Sequence, residues 1–272
     1  MAEWLLLNVT ALLSCLSGLW RQDHVETAFP RSALALGEHD QQIKVYGHVV
    51  DSGYLDRENS AVSSLRHWLE QIRELSYRIL NNFFSFSFFY EDHFLGIIYS
   101  AVSCDFQFTE ARHYKYIILH VLHPLFAECS LELWTRSATS VVVQVVQLLF
   151  NALECAWHKF NQLSANNNDD NKISEVLYKT LLSENTLIFC KCLSSALVDE
   201  NEVISEYMKF ATTENSLFHL FSHVVLSSLL WPDKSAAYWS ARTGSALIRF
   251  ILESNAHWLV PAYFRAILST VL

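Results

Sequence analysis

Glycine and proline are scarce in this chain, at six and four in 272 residues. Sandwiches, barrels and doubly wound sheets turn often and draw heavily on both. Long helices joined by short polar loops do not, so the scarcity excludes most sheet architectures and favours an all-α chain. Charge is also thin, at 17%, and cations are the rarer sign: 19 Lys and Arg against 28 Asp and Glu give a net charge of -9. That balance disfavours nonspecific attachment to nucleic acid or anionic lipid, and leaves room for a local basic stripe. The sequence has no glycine-rich phosphate loop and no Gly-x-Ser-x-Gly elbow. Apolar residues are what it has in quantity: 51% are hydrophobic and 14% aromatic, enough for a sizeable core.

The six cysteines, at 15, 104, 129, 155, 190 and 192, fall inside apolar helical stretches. Free cysteine packs there as a small hydrophobe, so a reducing compartment and no disulfide framework are expected. "WLLLNVTALLSCLSGLW" runs uncharged from Trp4 to Trp20, preceded by Glu3 and by no Lys or Arg. A secretory signal wants a positive start, and a membrane span wants about 20 apolar residues. A buried helix fits better.

From Leu65 a stripe of helical period runs through Trp68, Leu69, Ile72, Leu75, Ser76, Ile79, Leu80 and Phe83, with Glu70, Arg73, Glu74 and Arg78 on the polar side. A second stripe uses Leu217, Leu220, Phe221, Val224, Ser228 and Leu229; a third uses Ala237, Ala241, Gly244, Ser245, Ile248, Ile251 and Leu252. Further helices are expected over about 92–103, 110–122 (stopping before Pro124), 138–160 and 173–197, and at the end of the sequence with a kink at Pro261. "NQLSANNNDDNK", residues 161–172, reads as a polar, mobile loop. Neither it nor "DSGYLDRENS" separates composition types, so residues 1–272 read as one segment. Consecutive helix pairs without sheet signals suggest an α-solenoid of HEAT-like repeats, each ~40–47 residues long. An irregular helical bundle is the alternative.

"SSLLWPDKSAAYW" raises the question of an enzyme, because tyrosine phosphatases carry a mobile acid loop reading Trp-Pro-Asp. Their phosphate cradle is Cys-x5-Arg, whereas Cys129 is followed by Arg136, one residue too far, in a stretch without glycine. A turn explains all three residues: a helix ends at Trp231, Pro232 forbids its continuation, and Asp233 caps the next. His219 and His223 are four apart, yet lack an adjacent Glu and an obvious third ligand. They read as ordinary histidines, as do His120 and His123. Cys190 and Cys192 point to different faces of a helix, and Asp169-Asp170 and Asp199-Glu200 are solvated loop charges. No catalytic residue, cofactor or metal is expected.

The arginines pair by face. Arg66 with Arg73, and Arg242 with Arg249, are each seven apart; Arg112, His113 and Lys115 cluster near a helix start. On a solenoid such residues form a phosphate-tracking stripe if they line the concave side. Otherwise they are surface charge neutralised by Glu70, Glu74, Glu110 and Glu253.

The order of segments carries a resemblance. "VSSLRHWLEQIRELSYRILNNFF", "YSAVSCDFQFTEARHYKYIILHVLHPLF", "VVQVVQLLFNALECAWHKF", a polar loop, and "LLWPDKSAAYWSARTGSALIRFILES" together resemble the C-terminal part of the exportin-5 family. These are HEAT-repeat nuclear export receptors of the importin-β superfamily. "LLSCLSGLWRQDHVETAFPRSALALGEHDQQIKVYG" resembles the segment leading into that region. The resemblance implies a shuttling protein of nucleus and cytoplasm that performs no chemistry itself. It implies binding of Ran-GTP together with double-stranded RNA bearing a short 3′ overhang, notably microRNA precursors, and possible protein cargo; no membrane is implied. RNA would be read by shape through phosphates and 2′-hydroxyls. The principal Ran-binding repeats of such receptors have no counterpart in this sequence. Under this reading Arg66, Arg73, Arg112, Lys115, Arg242 and Arg249 are the RNA-contact candidates. A helical scaffold that binds a protein partner without nucleic acid is the alternative.

Overall fold

In a computed structural model, residues 2–19, 43–45, 48–50, 60–133, 136–165, 172–198, 224–253, 261 and 265 are described. The fold is all-α. Its helices are α1 (Ala2–Leu19), α2 (Ser60–Phe83), α3 (Asp92–Ser103), α4 (Tyr114–Ile117), α5 (His123–Ala127), α6 (Arg136–Ala165), α7 (Lys172–Val198) and α8 (Lys234–Glu253). Residues 224–229 are also helical. One small exception to the expected lack of sheet is a two-stranded antiparallel ladder, Ile43–Val45 with His48–Val50.

A single apolar cluster runs from Leu6 on α1 to Ala236 on α8. α1 lies against α2 and α3, α3 against α6, α6 against α7, and α7 against α8. The centre is α6, about 45 Å long at 1.5 Å per residue. Its face of Val142, Val145, Val146, Leu149, Phe150, Leu153 and Trp157 is fully enclosed. The three valines favour strands locally, and a continuous apolar helical face overrides that preference. Ser137–His158 has the length and apolarity of a membrane span, but half of it is buried inside the protein. α6 continues to Ala165 and α7 starts at Lys172, so most of the expected loop's first half is helix. Residues 166–171 lie outside the described residues.

Two stripes depart from the sequence reading. On α2 the enclosed residues are Glu70, Arg73, Ser76, Tyr77, Leu80 and Phe83, while Trp68 is 57% and Leu75 53% exposed. Hydrophobic periodicity places charges outside; here the buried charges have partners that offset their desolvation. On α8 the inward face is Ala236, Ser240, Thr243 and Gly244, and Ala241, Ser245, Ile248 and Leu252 face outward. Small residues let α8 approach α7 closely, and the Ser228 and Ser240 hydroxyls meet at 2.5 Å beneath it.

The chain also stays helical through Pro124 rather than stopping before it. α4 passes into a π-helical turn, Ile118–Leu122, and then α5. The His123 N–H reaches the Ile118 carbonyl, five residues back, so the ladder has already changed register when it meets Pro124, which has no N–H to give. Asp105 takes the left-handed conformation, φ 51°, which Asp tolerates.

Candidate functional site

Trp231-Pro232-Asp233 is an inter-helix turn. The chain leaves the helix at Leu229, Trp231 stacks on Phe150 at 5.7 Å, and Asp233 Oδ1 accepts the N–H of Ala236 at 2.8 Å. Asp233 is thus the N-cap of α8. The Cys190 thiol lies within reach of this carboxylate's field. It is pushed up to about 11 by burial, with the Ser240 and Ser228 hydroxyls opposing and the charge of Asp233 adding. A thiol so shifted is protonated at neutral pH, the reverse of what a nucleophile needs.

The arginine candidates separate sharply. Arg73 is 1% exposed, and its Nη2 donates to Ser17 Oγ at 3.1 Å and Thr109 Oγ1 at 2.9 Å. Arg112 pairs with Glu70 at 2.6 Å, with both side chains under a tenth exposed. His113 lies 3.9 Å from Glu110, and Asn185 Nδ2 donates to the Ala111 carbonyl at 2.8 Å. These bonds form a polar seam joining α1, α2, the 105–113 segment and α7. Neither Arg73 nor Arg112 belongs to a surface stripe, because both are consumed in packing. The side chain of Arg66 lies outside the described residues.

Lys115 is partly covered and pairs with Glu184 at 3.5 Å. It also sits 5.5 Å from the Tyr116 ring, over which Arg78 lies at 5.8 Å. His120 stacks on the same ring, and burial together with Arg78 lowers its pKa. Sequence reasoning put Arg78 on a polar helix face but not in this cluster; the adjacency of Lys115 and Tyr116 was the available signal. The carboxylates of Glu74 and Glu184 flank the cluster and offset its charge.

Arg242 and Arg249 are exposed on one face of α8, about 10.5 Å apart along its axis. Among the described residues neither has an ion-pair partner. Arg242 lies 5.1 Å from the centre of the Trp239 ring, and Lys191 Nζ lies 5.6 Å from it. Lys191 escaped the sequence reading because it comes from α7, whereas Trp239 precedes Arg242 by three residues on α8, a spacing open to reading. Of the expected stripe, therefore, Arg242 and Arg249 stand together and open to solvent.

Among the described residues no group of three or more His, Cys, Asp or Glu is arranged to hold a metal ion. His219 and His223 lie outside the described residues. All six cysteines carry free thiols; Cys129, Cys190 and Cys192 are buried, whereas Cys15 and Cys155 are exposed rather than packed as core.

Among the described residues this is a helical scaffold with a packed polar seam and an open cationic face. The family model of the exportin-5 family matches residues 2–252. The chain belongs to the exportin-5 family. It is 25% identical over 150 residues to exportin-5 of Dictyostelium discoideum, a stretch covering 54% of this chain and 13% of that relative. No solved structure matches the chain.

Proposed function

We propose that this chain acts as part of a nuclear export receptor that shuttles between nucleus and cytoplasm. In this reading the whole receptor carries double-stranded RNA with a short 3′ overhang, such as microRNA precursors, in a Ran-GTP-dependent manner. Its helices follow the HEAT-like solenoid plan, and it performs no chemistry. Family membership across residues 2–252 carries the reading. The packed order of helices along the chain supports it.

The segment's own share of RNA contact is small in this account. With Arg73 and Arg112 buried and Lys115 paired, the exposed cations left among the described candidates are Arg242 and Arg249. Few phosphates are neutralised, so RNA binding by the isolated chain is weak and indifferent to sequence. The test is titration of a short hairpin with a 3′ overhang into the purified chain at two salt concentrations. Weak binding with a shallow salt slope, equal for unrelated hairpins, is expected. No binding at low salt would remove RNA contact from this segment, and tight binding to one sequence would defeat shape reading.

A further inference from the structure

Four residues of the α8 stripe that reads as core in the sequence, Ala241, Ser245, Ile248 and Leu252, face solvent, and their spacing is that of a helix-packing seam. Tyr238, Ala241, Ser245, Ile248 and Leu252 follow one another at alternating intervals of three and four residues. Those are the a and d positions of two consecutive heptads and the a position that opens a third. Tyr238 is 62%, Ile248 41% and Leu252 57% exposed. Arg242 and Arg249 both fall at the e position, on one flank of the seam. No carboxylate occupies α8 before Glu253, its last residue, although the chain as a whole is at -9. α8 is also firmly held as a platform: its inward face packs on α7, and Asp233 caps its start.

We propose that the outer face of α8 docks an amphipathic helix of a partner protein that carries Glu or Asp beside its own apolar seam. Apolar a and d positions supply the contact area, and the two arginines choose an acidic partner and set its register. A nucleic acid duplex is the poorer occupant. It would meet the arginines but leave Ile248 and Leu252 against phosphate and water. This inference does not rest on the RNA reading of the whole receptor.

The test uses the full chain and a fluorescent synthetic peptide about four turns long, with Leu at a and d and Glu at the flanking positions. A second peptide has Lys in place of each Glu. The acidic peptide is expected to bind and the basic one not. Arg242→Glu with Arg249→Glu should weaken the acidic peptide about tenfold and let the basic one bind, which a misfolded variant would not do. Ile248→Ser with Leu252→Ser should abolish peptide binding while leaving hairpin RNA titration unchanged. Equal affinity for both peptides, or indifference of the acidic peptide to the serine substitutions, would overturn the proposal. So would displacement of the acidic peptide by the RNA hairpin with loss of RNA binding in the serine variant, which would make the face a nucleic acid contact.

Discussion

Arg112 and Glu70 meet at 2.6 Å with side chains 8% and 3% exposed, bridging the 3₁₀ turn Ala111–His113 to the middle of α2. Removing one partner of a buried pair strands the other charge. Arg112→Met should therefore cost about 3–5 kcal/mol, and the double change Glu70→Leu with Arg112→Met markedly less. Urea unfolding of the three proteins checks this; an equal or larger loss in the double variant would show that the pair is not the cause.

Asp233→Ala should lower stability by about 1 kcal/mol by taking away the acceptor for the Ala236 N–H, and Asp233→Asn should retain most of it. Thermal melts compare them. Phosphatase activity that disappears with Asp233→Ala would restore the enzymatic reading of Trp-Pro-Asp.

The thiols of Cys129 and Cys192 are pushed up to about 12 by burial, and that of Cys190 to about 11. Their protonated forms are favoured in the folded state. The stabilisation they give is complete below the ordinary thiol value of 9.0 and is lost as pH rises through the folded values. Stability should thus decline from about pH 9 upward. Alkylation in native buffer should label Cys15 and Cys155 quickly and these three only after denaturation, as read by intact mass.

Arg73→Met and Arg249→Glu should part company. The first should destabilise the fold and leave the salt slope of hairpin binding unchanged. The second should leave the melting curve in place and flatten the slope by roughly 0.7 to 0.9 per lost phosphate contact. A slope that responds to Arg73 would return that residue to the surface.

The helical class was legible because it rests on scarce glycine and proline and on long apolar periods, which average over many residues. The Trp231-Pro232-Asp233 turn was legible because its chemistry is local: a ring that ends a helix and a carboxylate that starts one. The facing of α2 was not. Glu70 and Arg73 look like surface residues until Arg112, Ser17 and Thr109 arrive from distant segments to satisfy them. α8 failed in the opposite sense. Of its expected core stripe Gly244 is buried, but Ala241, Ser245, Ile248 and Leu252 face out, and the inner face is completed by Ala236, Ser240 and Thr243, whose value is their small size. Pro124 misled because a π turn, a rare device, carries the helix past it.

The polar seam also has a place in time. Asn185 and Ala111 are 74 residues apart, Arg73 and Ser17 56, and Arg73 and Thr109 36. During translation at ~5–20 residues per second, roughly 4–15 s separate the emergence of Ala111 from that of Asn185. α1 and α2 can pair in that interval, but the lock cannot close until α7 leaves the ribosome. A nascent chain halted before Asn185 lacks one wall of the seam.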